Sequence, residues 1–344
     1  MYCSHLFVPL QVEMASLLIF NPEHDIALAS DLAHFTAPHA ARQLRADLGY
    51  LPSLWAEEGD VVMETKTKTE TKTKTGAITK IEPWGWDKAL RLELERMGVS
   101  PSLLPTDDYL EHVRQLSHRR TAARLLPSLR LEGTVGEVFE CTAVDEVHSL
   151  LKQYGHVVVK APWSSSGRGV RFVNQNENEN QNENYQLSTS NWMRNVIRSQ
   201  GSVMVEPYYH KIKDFGMEFE ATDEGIRYLG LSLFHTANGA YTGNILATEC
   251  VKRKMLSRYL SMDLVDAVQQ KIKDTLDLGD YRGPFGIDMM VCDGHLLHPC
   301  VEINVRRTMG HVALALAPTD DDIVKVMQIA YDGKHYKLKI NKLQ

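Results

Sequence analysis

Two stretches of this 344-residue sequence carry residue types that handle phosphate. The first is Val157-Val158-Val159-Lys160-Ala161-Pro162-Trp163-Ser164-Ser165-Ser166-Gly167-Arg168-Gly169-Val170-Arg171-Phe172-Val173. An ammonium closes an apolar run and is followed by small residues and two arginines. Ser164, Ser165, Ser166, Gly167 and Gly169 let backbone N–H groups approach an anion, because little side chain stands in the way. It is not a P-loop, which needs Gly-Lys before Ser or Thr and then a helix. The second stretch holds Asp288 and then Glu302-Ile303-Asn304-Val305-Arg306. Two carboxylates and an amide oxygen suit Mg²⁺, a hard ion that takes a few protein oxygens and completes its shell with phosphates and water. A neighbouring arginine suits charge on a transferring phosphoryl group.

These groups need rigid elements beneath them. The β-branched runs on either side of the Ser/Gly segment predict strand, loop, antiparallel strand, with Lys160 at the end of the first strand. Gly283 to Val291 reads as a strand and Asp293-Gly294 as its turn. In the strand that follows, Glu302, Asn304 and Arg306 share one face, while Val301, Ile303 and Val305 point to the core. A two-residue turn would put Asp288 opposite Pro299 and send Glu302 to the other face. A shared metal therefore requires a three-residue loop or a bulge, for which Gly294 can supply a positive φ.

Upstream, Met14 to Ile19 reads as a buried first strand, and Asn21-Pro22-Glu23-His24-Asp25 as the turn after it. Pro38 to Gly49 and Asp87 to Met97 read as helices, with a short strand within 53–63. Ser117 to Leu126 reads as a helix capped by Ser117. Glu137 to Cys141 is an expected strand and Ala143 to Tyr154 a helix. Trp192 to Ser199 and Leu260 to Leu276 are further helices, with strands at 203–205, 214–221 and 227–233. The segment 235–244 is a polar turn, and Asp320 to Asp322 read as a helix start. Two runs bury nothing: the Thr/Lys/Glu stretch 64–75 and the Asn/Gln/Glu stretch 174–186.

With these blocks in view, the chain resembles the ATP-grasp superfamily, which includes biotin carboxylase and D-alanine–D-alanine ligase. Val157 to Val173 resembles its lysine strand and lid loop. Val203-Met204-Val205-Glu206-Pro207-Tyr208-Tyr209 resembles the strand and hinge that receive adenine. Gly283 to Arg306 resembles its paired metal strands. The likeness spans roughly residues 110 to 330. It implies an α/β (α+β) molecule: a small N-terminal α/β lobe, then a two-lobed ATP-grasp domain whose antiparallel sheets sandwich the nucleotide. By the same resemblance, ATP and Mg²⁺ (or Mn²⁺) are the cofactors. Lys160, the loop from Ser164 through Ser165, Ser166, Gly167, Arg168 and Gly169, the hinge residues Val205, Glu206, Tyr208 and Tyr209, and Glu218 at the ribose would hold the nucleotide. Asp288, Glu302 and Asn304 would hold metal. Arg306 would stabilise the transferring phosphoryl, with Lys160 as its catalytic companion. A basic residue at a helix start would reach the phosphates; Arg119 or Arg120 can take that place, and Arg120 is the one assigned. Two departures stand out. Pro162, Trp163 and serines replace a glycine run in the lid, and Pro207 removes a hinge donor, so adenine would bond to Tyr208 or Tyr209.

The implied activity is an ATP-dependent ligase: a substrate carboxylate becomes an acyl-phosphate and is attacked by an amine or thiol. A kinase on the same scaffold, or a nucleotide-binding regulator without turnover, are the alternatives. The partners would be small-molecule carboxylates and amines, with a homo-oligomer left open. The expected boundaries are a loose extension 1–13, an N-terminal domain 14–110, a lid subdomain 111–207, a metal-binding subdomain 208–335 and a solvated tail 336–344. Thr308, His311 and Arg307 are expected near substrate. The bulk numbers suit this picture. Apolar residues make up 43% and charged residues 24%, an ordinary globular balance. The net charge of −6 gives no basic field for nucleic acid. Five scattered cysteines without Cys-x-x-Cys read as reduced thiols, hence a cytoplasmic expectation. No apolar run is long enough for a membrane span.

Overall fold

The computed structural model describes residues 15–64, 78–164, 169–175, 183–237 and 240–342. The expected extension 1–13, most of the Thr-rich run and the centre of the Asn/Gln/Glu run lie outside these residues. The elements form three sheets.

The N-terminal lobe starts with β1 (Ala15–Ile19), whose side chains are almost all buried. Helices α1 (His24–Ser30) and α2 (His39–Leu48) follow, then β2 (Val61–Val62), β3 (Ile78–Pro83) and α3 (Lys88–Arg96). Both outer strands run parallel to the central β1. Asp87 Oδ1 accepts from Leu90 N–H at 2.9 Å and so caps α3. Leu90 and Leu94 then pack on Leu17, Ile19 and Ile81. The sequence reading missed β3, and it took the start of α1 for a plain turn.

Helices α4 (Asp107–Leu116) and α5 (Arg120–Leu125) lead into the lid. Ser117 is not an N-cap: it ends α4, and α5 starts three residues on. The lid is an antiparallel sheet in the order β4-β7-β5-β6, built from β4 (Phe139–Cys141), β5 (His156–Lys160), β6 (Val170–Asn174) and β7 (Val203–Pro207). Helices α6 (Val144–Tyr154) and α7 (Glu183–Gln200) cover one face of it. Val157, Val159, Val203 and Val205 pack there with Val147, Leu151 and Met193. Alternation therefore turns Lys160 and Glu206 to the other face.

The third sheet runs in the order β12-β11-β8-β9-β10-β13-β14. Its strands are β8 (Lys211–Thr222), β9 (Gly225–Ala237), β10 (Ala240–Leu246), β11 (Gly283–Cys292), β12 (Leu296–Asn304), β13 (Lys325–Tyr331) and β14 (Tyr336–Lys342). Helices α8 (Glu249–Leu256), α9 (Met262–Thr275) and α10 (Met309–Ala315) complete the fold. Phe215, Met217, Phe219, Phe285 and Ile287 form one core with Val265, Val268 and Ile272 of α9. The opposite face carries polar side chains.

One expectation fails at the C-terminal end: Asp320 to Asp322 start no helix but precede β13. Residues 336–342 form a strand whose side chains are mostly exposed. β14 is held because Asp47 Oδ2 on α2 accepts from Tyr336 N–H at 2.8 Å. Phe20, Leu48 and Trp84 of the first lobe join Leu246, Val312 and Met327 in a shared apolar cluster. The N-terminal lobe thus closes one end of the large sheet. Among the described residues no helix is long and apolar enough to cross a membrane, and Cys141, Cys250, Cys292 and Cys300 are free thiols.

Candidate active site

On the lid side, Lys160 Nζ donates to both oxygens of Glu206, at 2.6 and 2.7 Å. The two residues lie on one sheet face, one register step apart, since Val158 faces Glu206 and Lys160 faces Met204. Burial and this pair hold the ammonium at the strand end. Glu206 therefore positions Lys160. Val205 does not line the cleft: it is an interior residue of the lid sheet with its side chain in the helix-facing core. The loop after β5 is anchored at its start. Trp163 Nε1 donates to Arg114 O at 2.9 Å, and the ring is buried beneath the Arg114 guanidinium, 3.9 Å away. Gly169 O accepts from Ala161 N–H at 2.7 Å. A Cβ at Gly169 would lie 2.3 Å from Ser164 Cβ, which explains glycine there. Ser165, Ser166, Gly167 and Arg168 fall outside the described residues.

On the large sheet, Asp288 faces Glu302 directly. Both devices the register demanded are present. Cys292 pairs with Leu296 around a three-residue loop, where Gly294 has φ 75° and His295 φ 59°. The ladder then shifts between Asp288 and Met290, so Glu302 comes opposite Asp288. Burial, then the charges of Glu302 and Glu218, push the Asp288 carboxyl up to about 8. Such a carboxylate is short of positive charge, which is the condition a bound cation relieves. Among the described residues no three His, Cys, Asp or Glu side chains group as a metal site. The candidate set is instead two carboxylates and an amide, suited to a metal that completes its shell with phosphates and water. Asn304 turns Nδ2 to Asp288 Oδ2 (3.1 Å), while its oxygen accepts from Arg306 Nη2 (2.9 Å). As arranged, it orients Asp288 and Arg306. Turning the amide over would bring its oxygen to Asp288.

Of the two arginines at the start of α5, Arg119 and not the expected Arg120 faces Glu302. Arg119 Nη1 donates to Ala161 O (3.0 Å) and Ser164 Oγ (3.1 Å), and Nη2 to Glu302 Oε2 (2.8 Å). It ties the lid loop to the metal strand. Arg120, about 100° further round the helix, donates to Glu140 on β4. Arg306 pairs bidentately with Asp25 on α1, Nε to Oδ1 at 2.7 Å and Nη2 to Oδ2 at 2.8 Å. Burial pushes the Asp25 carboxyl up, but the charge and hydrogen bonds of Arg306 outweigh it and hold it below its usual range. Sequence reasoning reached Asp25 only as part of a turn. Its one signal was a cluster of polar residues after a buried first strand, where α/β sheets place ligands.

Further expected contacts are redirected. Glu218 is buried beneath α10 and accepts from Thr308 Oγ1 at 2.8 Å, with His311 Nδ1 at 3.0 Å. A Cβ on Gly310 would strike it, so the helix sits directly on this carboxylate. Glu218 is thus withdrawn from any ribose, and Thr308 and His311 from substrate. Arg307 stacks over Trp55, 4.5 Å from its centroid. At the hinge, Tyr208 N–H donates to His156 O (3.0 Å) and its ring stacks on His156. The ladder has taken that amide, which leaves Tyr209 of the two expected hinge donors.

No family model and no curated protein matches the sequence. Solved structures do. The N5-carboxyaminoimidazole synthetase of Staphylococcus aureus, complexed with ADP, superposes with a TM-score of 0.50 at 13% identity, over 92% of this chain and 82% of that one. A biotin carboxylase–β-γ-ATP complex from Campylobacter jejuni gives 0.50 at 13%, over 92% and 76%. The mixed α/β architecture with antiparallel sheets is the ATP-grasp fold.

Proposed function

We propose that this chain, an ATP-grasp fold, is an ATP-dependent ligase that activates a carboxylate and transfers the acyl group to an amine or thiol. The observation that carries the reading is the convergence on one cleft of Lys160 from the lid, Arg119 from α5 and the Asp288–Glu302 pair from the large sheet. Two similar solved structures hold ADP and an ATP analogue, which favours a nucleotide as the occupant here.

In this reading each cation of the cleft is stored on a carboxylate until substrate arrives. Glu206 keeps Lys160 extended toward the α- and β-phosphates. Asp288, Glu302 and Asn304 would hold Mg²⁺, which when bound neutralises phosphate charge and orients the oxygens. Arg119, held between Glu302 and Ser164, would face the phosphates from the start of α5. Arg306 lies beyond the metal strand, held by Asp25, and receives the carboxylate to be phosphorylated or the acyl-phosphate formed from it. The chemistry is positioning and electrostatics, as phosphoryl transfer requires. The lid loop, anchored at Trp163, shields the acyl-phosphate from water.

A ligase makes an intermediate that is electrophilic at carbon, whereas a kinase acting on a hydroxyl makes a phosphate ester. Hydroxylamine should therefore replace the natural amine, giving hydroxamate and ADP in equal amounts with a panel of carboxylates. ADP formed with a stable phosphorylated product and no hydroxamate would replace the ligase reading with the kinase.

A further inference from the structure

A large cavity lies outside this cleft. It lies in the N-terminal lobe between α2, α3 and the segment 33–37, and measures about 820 Å³. Protein interiors tolerate few voids larger than a water molecule, and this volume is that of a small-molecule pocket. Its wall is partly apolar, from Leu17, Phe35, Leu90 and Met97.

The charges on its wall, three arginines against Glu23, Asp87 and Glu93, balance in sum but not in pairing. Arg45 Nη1 pairs with Glu23 (2.8 Å) and Glu93 (3.0 Å), so one guanidinium serves two carboxylates. Asp87 is spent on the α3 cap, on Asn21 and on His24. Two further arginines remain. Arg96 meets only the His34 ring, at 3.2 Å. Arg42 has no partner among the described residues. Deeper in, Arg45 Nη2 and Glu23 Oε2 are buried without a hydrogen-bond partner. Leaving such groups unpaired is costly, and a donor beside an acceptor can be matched by one polar group.

We propose that this cavity is a second ligand site, for a small molecule with an anionic group, an apolar body and a polar end. Arg42 and Arg96 take the anion, carboxylate or phosphate. Leu90, Met97 and Phe35 cover the body. Arg45 and Glu23 read the polar end. The site is separate from the nucleotide cleft, but only one residue divides them in sequence: Glu23 lines the cavity, and Asp25 holds Arg306.

The test is calorimetric titration of the full chain, with saturating ADP and Mg²⁺ filling the cleft. The probes are phenyl phosphate, 4-phenylbutyrate and the neutral 4-phenylbutanol. At least one anionic probe should bind, and the alcohol at least tenfold more weakly. The Arg42→Ala/Arg96→Ala protein should bind that probe at least tenfold more weakly than wild type. Both arginines are exposed, so this variant should fold, as circular dichroism would check. Ala89→Trp, which fills the cavity from α3, should abolish binding in folded protein. The proposal is overturned if neither anion binds with ADP present, if the arginine variant binds as tightly as wild type, or if the probe binds only when ADP is left out.

Discussion

Arg306 and Asp25 come from opposite ends of the chain and meet through two hydrogen bonds, both side chains largely buried. The pair is a buried contact that bears on stability, and in the proposed reading it also bears on the chemistry. Removing Arg306 strands a buried carboxylate. We expect Arg306→Ala to cost about 3 kcal/mol, with much of that recovered when Asp25→Asn is added. Turnover should fall about 100-fold or more in both proteins, on the scale of one lost electrostatic group. Urea unfolding and ADP release measure the two effects separately. An Arg306→Ala protein as stable as wild type would show that the pair adds nothing to the fold.

The lid hairpin shows how an element prepares a site. Its strands are dictated by valines that bury against α6 and α7, and strand periodicity alone then aims Lys160 and Glu206 at the cleft. The loop between is closed at its base by Gly169 packing on Ser164. Gly169→Ala should therefore open the hairpin base and weaken nucleotide binding at least tenfold. Adding Ser164→Gly should restore most of it by removing the clashing atoms. Equal nucleotide affinity in wild type and Gly169→Ala, measured by calorimetry, would mean that the loop base is not held by this contact. Other elements were legible in hindsight. Thr106 caps α4 by accepting from Tyr109 N–H (3.2 Å), and Asp107 and Asp108 fill its first turn. Thr248 caps α8 in the same way. β3 was not legible, since it emerges from a low-complexity run and carries a single fully buried side chain, Ile81.

At the scale of the molecule, two buried histidines tie folding to pH. His118 Nε2 and both ring nitrogens of His298 are buried without partners. Burial pushes each imidazole down to about 4. The unfolded chain, with imidazoles near 6.5, binds more protons between these values. Each histidine then contributes stability that rises with pH through that window and is lost on acidification from about 6.5 toward 4, by about 1.4 kcal/mol per pH unit, while Asp288, pushed up to about 8, works in the opposite sense. Urea midpoints from pH 4.5 to 7 for wild type, His118→Phe and His298→Leu check this. Each variant should lose its share of the slope, whatever its stability at pH 7. A slope unchanged in both would assign the acid sensitivity to other groups.

Local pattern alone determined the Lys160 hairpin, the Asp-bearing and Glu-x-Asn strands, and the need for a three-residue loop or a bulge between them, of which the structure has both. These follow from periodicity and turn chemistry, which act over a few residues. The sequence reading assigned Arg120, whereas Arg119 faces Glu302, because which of the two does so depends on where α5 begins. It could not show that Glu218 lies under α10, that Val205 faces helices, that Tyr208 N–H is already bonded, or that Asp25 holds Arg306. Each of these depends on which element covers a given face. That is decided by burial between segments far apart in the chain, where spacing in sequence carries no information.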